Sequence, residues 1–186
     1  INESDNRLLF VLIHEQMHVM QRKKPELFKI LYTKYYPFKM GKLKVQDKYI
    51  SRIRSNPDTR YLPDNDYVLK TENGDYYLCA YYGDKKPKHL GAVLYSAIKC
   101  EYDSKKNTYK TTDDITSIDN IPEFNEFFNL RNNHYHPNEI SAELIAMHYS
   151  KNNNEYCDAL DNTRIWLNKH VVYIIFYFYI IDNGYR

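Results

Sequence analysis

Cysteine, glycine and tryptophan are all scarce in this chain of 186 residues, with 3 Cys, 5 Gly and 1 Trp. Cys79, Cys100 and Cys157 are odd in number and far apart, so no disulfide framework is indicated. Free buried thiols are expected, with a Cys79–Cys100 pair as the alternative, since both lie in strand-like segments. No Cys-x-x-Cys occurs, which excludes a zinc knuckle. Neither sign of charge dominates: 26 Lys+Arg against 24 Asp+Glu leave a formal +2. That balance offers no general electrostatic case for nucleic acid, and no nucleic-acid partner is expected. The apolar run Val171 to Ile181 has 11 residues, short of the ~20 that cross a bilayer as a helix. Membrane association is therefore not expected, and the run reads as a buried strand or helix. The lesser alternative is a membrane-facing or aggregation-prone end. A secretory signal is absent too, because Ile1 to Arg7 is polar and the apolar stretch after it carries His14 and Glu15. With reduced cysteines, this points to an intracellular setting. The chain opens on Ile1 rather than Met, as a fragment or a processed product does.

What is present is enough for a core. Hydrophobic residues make up 43% and charged residues 27%, ordinary values for a globular chain, and the length suits one domain with an appendage. The 20 Tyr carry no assigned chemistry. Ser4 to Arg22 reads as a helix, capped by Ser4 or Asp5. Phe10, Ile13, Met17 and Met20 form one stripe and Leu8, Leu12 and Val19 another flank, the pattern of a helix buried on several sides. Pro25 opens a second helix and Pro37 ends it. Gln46 to Asp64 is a connector with turns at Asn56-Pro57-Asp58 and Leu62-Pro63-Asp64. Tyr67 to Thr71 and Asp75 to Tyr82 flank Glu72-Asn73-Gly74, a strong hairpin signal. His89 to Tyr102 and Thr108 to Thr112 supply a third and a short fourth strand of a small antiparallel sheet. Helices follow from Pro122, with Phe124, Phe127 and Phe128 on one face, and from Asn138 to about Ser150.

The chemistry concentrates in His14-Glu15-Gln16-Met17-His18, a His-Glu-x-x-His motif on the first helix. Residues i and i+4 share a face, so both imidazoles can reach one Zn²⁺. Glu15 lies one step off that line and can address a water without ligating. A Glu amid an apolar helix is costly to bury without a partner, which argues against two incidental core histidines. A catalytic zinc needs one more protein ligand. The best donors lie downstream, where Glu139 and Glu143 are one turn apart with Ala142 and Ala146 beside them. Small residues let two helices approach closely.

Together these motifs resemble the gluzincin group of zinc metallopeptidases. There a second helix often reads Asn-Glu-x-x-x-Asp, and this chain has Asn138-Glu139-x-x-x-Glu143. The resemblance implies an α+β, zincin-like domain over residues 1–150, with central metal-binding helices and a small antiparallel β-sheet. Residues 151–186 would be a C-terminal extension packed on it. It implies one Zn²⁺ held by His14, His18 and Glu139, with Glu143 hydrogen-bonding a ligand histidine. The reverse assignment, Glu143 on zinc and Glu139 supporting, stays open. The implied activity is hydrolysis of a peptide or protein substrate by a zinc-activated water, with Glu15 as general base. His134, Tyr135 and His136 are candidate oxyanion donors because they immediately precede the helix carrying Glu139. A substrate strand could add to an edge of the sheet near Asn73-Gly74. Two departures stand out: the wide spacing from His18 to Glu139, and the 13 residues before His14, too few for the sheet that zincins place there. No third His extends the motif as in metzincins. The rival reading is a non-catalytic zincin-like module in which the metal holds the fold.

Overall fold

A computed structural model describes residues 3–54, 56–83, 93–131, 134–150 and 157–182. Among these residues an α+β fold places six helices around five strands. The first helix, α1 (Glu3–Lys23), ends in Arg22 and Lys23, cations that suit the negative end of its dipole. Ser4 and Asp5 lie inside it rather than capping it. Pro25 opens α2 (Pro25–Ile30), which continues as a π-helical turn, Leu31–Tyr35, before Pro37.

Next come β1 (Phe38–Lys44), the short α3 (Asp47–Ile50), β2 (Asp66–Thr71), β3 (Gly74–Tyr81), β4 (Leu94–Asp103) and β5 (Thr108–Ser117). The expected third strand thus begins at Leu94, its stretch from His89 lying partly outside the described residues, and the expected fourth extends to Ser117. The sheet is not a small antiparallel one but a closed barrel in the order β1-β2-β3-β4-β5. Every consecutive pair is antiparallel, and β1 meets β5 in parallel, Leu43 opposite Tyr109. The parallel pair is a consequence of parity. If each strand reverses the last, the first and fifth of five point the same way when the sheet closes. Closure also leaves no full-length open edge, which removes the expected site for an added substrate strand. The Asn73 turn is docked on the fold, its amide donating to Glu123 Oε1 at 2.6 Å.

Strand β1 is absent from the sequence reading because Phe38-Lys39-Met40-Gly41-Lys42-Leu43-Lys44 is a weak alternation broken by glycine. Only Phe38 and Leu43 are buried in it. Tertiary pairing on both sides, not propensity, makes it a strand.

Two cores follow from the two faces of the barrel wall. Leu43, Val68, Tyr77, Cys79, Ile98, Cys100 and Tyr109 fill the interior. Phe38, Leu69, Leu78, Ala80 and Ala97 face out and pack with the helices. Burial on both faces explains the continuous run Tyr77 to Ala80. The three thiols are free and buried. Cys79 faces Ser96 across the β3–β4 ladder and Cys100 faces Asp75, so the register does not pair the cysteines.

Phe124 and Phe128 of α4 (Pro122–Phe128) enter the outer core, and Asn129 ends the helix in the left-handed region at φ 46. The next helix, α5 (Pro137–Tyr149), has Ser141, Ala142 and Ala146 fully buried. The last, α6 (Asp158–Asp182), contains the Val171 to Ile181 run. Its first half joins the same core: Trp166 packs 5.4 Å from Phe28, and Thr163 shares a 2.6 Å hydrogen bond with Tyr36. Among the described residues no helix is long and apolar enough to cross a membrane.

Helix α1 departs from expectation. Met17 and Met20 are buried, but Leu8 and Leu12 are 60% and 58% exposed. The helix packs principally along one face, against α5, and its N-terminal half projects past that contact.

At the β2–β3 turn Gly74 adopts φ +146, a region that L side chains rarely enter. Gly74→Ala is expected to cost roughly 1–2 kcal/mol, read as a lowered urea midpoint at unchanged slope.

Candidate metal centre

Helix α1 carries His14 and His18 one turn apart, and α5 packs across them with Glu139 in its first turn. His136 starts α5, its Nδ1 accepting from Asn138 N at 3.1 Å, and Pro137 takes the first helical position. That local stop sets Glu139 against α1.

The resulting geometry is a triangle of donor atoms. His14 Nε2 and His18 Nε2 are 3.1 Å apart. Glu139 Oε2 is 3.4 Å from the first and 3.5 Å from the second. Ligands about 2.0–2.1 Å from a tetrahedral zinc are separated by roughly 3.3–3.4 Å. All three side chains are buried, and this trio is the group of potential metal ligands that the described residues bring together. The donor set therefore fits a divalent cation of zinc type.

Each ligand is held by a neighbour. His18 Nδ1 is 2.8 Å from Gln21 Oε1, and Gln21 in turn donates to Asn138 O (2.8 Å) and Ser141 Oγ (3.0 Å) on α5. His14 Nδ1 lies 3.3 Å from Glu143 Oε2. Acceptors on both Nδ1 atoms favour the tautomer whose Nε2 lone pair points into the triangle. Glu139 Oε1 accepts from Tyr135 Oη (3.2 Å) and Asn56 Nδ2 (3.3 Å). The Asn56 side chain is oriented by its own turn: Oδ1 accepts from the Asp58 and Thr59 amides, both at 2.8 Å. Its amide nitrogen is left to face Glu139.

The electrostatics ask for positive charge. Burial pushes the His14 imidazole down, but Glu139 and Glu143 outweigh it and raise the pKa to about 9. His18 is raised against its burial by Glu139 and Gln21. Glu139, despite burial, is held well below the carboxylate range by the two imidazoles.

Beside the triangle lies a cleft of about 360 Å³, lined by Phe10, Val11, Glu15, Arg54, Asp58 and Tyr95 as well as the ligands and Tyr135. Glu15 is exposed on this cleft. Of the three candidate oxyanion donors, Tyr135 alone lines it. His136 is spent on the α5 cap, with burial lowering its pKa to about 4. His134 lies between Tyr95 and Phe124, at 4.8 and 5.9 Å, with Nε2 3.6 Å from Asp119. Position next to the α5 start is not enough, because backbone direction sends neighbouring side chains to different sides.

Sequence reasoning passed over Gln21, Asn56, Arg54 and Tyr95. Gln21 was within reach, since positions 14, 18 and 21 share one helix face. Asn56 was visible only as a turn residue. Comparison with protein-family models, curated proteins and solved structures gives no match to this chain.

Elemental analysis after exhaustive dialysis is expected to find one zinc per chain, lost in His14→Ala and Glu139→Ala. Gln21→Leu, Glu143→Gln and Asn56→Ala should each weaken zinc affinity 10–100-fold, about the range for groups that orient ligands. The pH dependence has a defined sign. In the zinc-free protein, charged His14 stabilises the fold fully below its ordinary value near 6.5, and this is lost as pH rises through about 9. Zinc must displace that proton. Its apparent affinity, measured by chelator competition, should climb about tenfold per pH unit per proton released and level off above pH 9.

Proposed function

We propose that this chain is a zinc-dependent metallopeptidase with a zincin-like arrangement of metal-binding helices. The observation that carries the reading is the triangle of His14 Nε2, His18 Nε2 and Glu139 Oε2, with Glu15 on the adjoining cleft. Zinc bound there would acidify a water and polarise a substrate carbonyl.

The chain's own residues supply the rest. Glu15 takes a proton from water as a carbon–oxygen bond forms at the peptide carbonyl, and returns it to the leaving amine as the carbon–nitrogen bond breaks. Glu143 and Gln21 hold the two imidazoles in one tautomer. Asn56 shares with Tyr135 the task of fixing the carboxylate of Glu139. The Tyr135 hydroxyl, on the cleft wall, is placed to donate to charge developing on the carbonyl oxygen. Burial and the Glu139 charge raise its pKa, so it stays protonated for that role.

The rival, a zinc that only holds the fold, would be served by a fourth protein ligand closing the shell. Among the described residues three donors converge, and Glu143 is turned to the far nitrogen of His14. A three-ligand site favours hydrolysis.

Two variants test the assignment with zinc content as the control. Glu15→Gln should keep the metal and lose peptidase turnover by 10²–10⁴-fold, about the contribution of a positioned general base. Tyr135→Phe should keep the metal and lower kcat roughly a hundredfold. Zinc loss in Glu15→Gln, or full activity in that variant, would overturn the mechanism.

A further inference from the structure

The cleft contains a cation that the proposed hydrolysis does not use. Arg54 lines it together with His14, His18 and Glu139. Its backbone is pinned to the barrel: Arg54 N donates to Ala80 O at 2.8 Å, next to the Ile53–Tyr81 bridge. Two residues on, the Asn56 side chain touches Glu139. The segment that steadies the metal carboxylate therefore also delivers a guanidinium to the cleft.

Among the described residues Arg54 has no carboxylate partner, whereas Arg22 pairs with Asp58 and Arg164 with Asp161. The guanidinium is half-buried rather than free in solvent. Its wall is built from Tyr95 and Tyr135, whose rings stack 5.2 Å apart at 13°. Both phenols are raised by burial and pulled partly back by the charge of Arg54, which places that charge close to both rings. A planar fork of five donors, always charged, matches a carboxylate in two parallel hydrogen bonds. An unpaired, partly desolvated guanidinium beside a site for peptide carbonyls is an anion receptor without its anion.

We infer that Arg54 determines substrate choice by binding a carboxylate of the peptide, within the cleft that holds the scissile bond. This deepens the peptidase reading and rests on it. The cleft, about 360 Å³, is near the lower end for ligand sites, so the carboxylate it receives lies close in sequence to the bond being cut. That carboxylate is either the C-terminus of the substrate or an acidic side chain.

The test measures binding, not turnover, on the zinc-loaded full chain carrying Glu15→Gln. Calorimetric titrations use N-acetyl-trialanine as free acid and as amide, and N-acetyl-Ala-Glu-Ala amide against its Ala-Gln-Ala counterpart. A charge-assisted pair predicts at least about tenfold tighter binding of one acidic member over its neutral partner. Preference for the free acid identifies the terminus, and preference for the Glu peptide identifies the side chain. Either preference should fall to about one in Arg54→Ala and return in part in Arg54→Lys, with zinc content unchanged. Equal binding within both pairs, no binding at all, or a preference that survives Arg54→Ala overturns the inference while leaving the zinc site standing. Absence of zinc from the unsubstituted chain overturns the underlying reading, and this one with it.

Discussion

The contact between α1 and α5 is the constraint on which the rest depends. It joins residues more than a hundred positions apart, and it buries two imidazoles against a carboxylate. Such burial is unfavourable unless every polar atom has a partner. The helices meet that demand across their interface. Gln21 of α1 spans to Asn138 and Ser141 of α5, and Tyr32 adds hydrogen bonds of 2.9 Å to Asn138 Oδ1 and Ser141 Oγ. The side chain that sets the His18 tautomer is thus also the one that locks the two helices in register. Site geometry and helix packing are one interaction seen from two sides.

The barrel has a different task. Its outward face supplies a floor of Leu69, Leu78, Ala80 and Ala97 on which the helices rest. The connector between β1 and β2 crosses the mouth of the site. Asn138 Nδ2 ties that connector to α5 by donating to Asp58 O at 2.6 Å, and the Asn56 amide reaches Glu139. A segment legible only as turns therefore completes the environment of the metal carboxylate and carries the cleft's guanidinium. Rigid strands on one side and packed helices on the other leave this connector little freedom.

The parts of this arrangement that were legible in the sequence are those with local causes. Helical spacing placed His14 and His18 on one face, and Asn73-Gly74 placed the hairpin. Glu139 and Glu143 were found from their one-turn spacing and their likeness to a known motif, and the structure sets them on Oε2 and Nδ1 contacts respectively. What stayed hidden has non-local causes. Strand β1 exists because β2 and β5 pair with it, not because Lys39, Lys42 and Lys44 favour a strand. Barrel closure depends on a register no local pattern encodes. The exposure of Leu8 and Leu12 could not be read from composition, since an apolar flank is buried only if a neighbour extends far enough to cover it. His134 and His136 were grouped with Tyr135 by adjacency alone, and side-chain direction separated them.

The last step concerns why such a site would persist in a fold. One buried carboxylate shared by two imidazoles, with a second carboxylate behind one of them, carries negative charge whenever the rings are neutral. In the metal-free state a proton is drawn in to offset it, which is why His14 resists deprotonation up to about pH 9. A divalent ion meets the same demand more fully and meets it at the three atoms already converged. The hydrogen bonds on the outer atoms, Nδ1 of both rings and Oε1 of Glu139, are unaffected by that exchange. A proton or a cation can therefore occupy the centre without rebuilding its surroundings. This is the preorganisation expected of a metal site held on helices rather than one assembled by the ion itself.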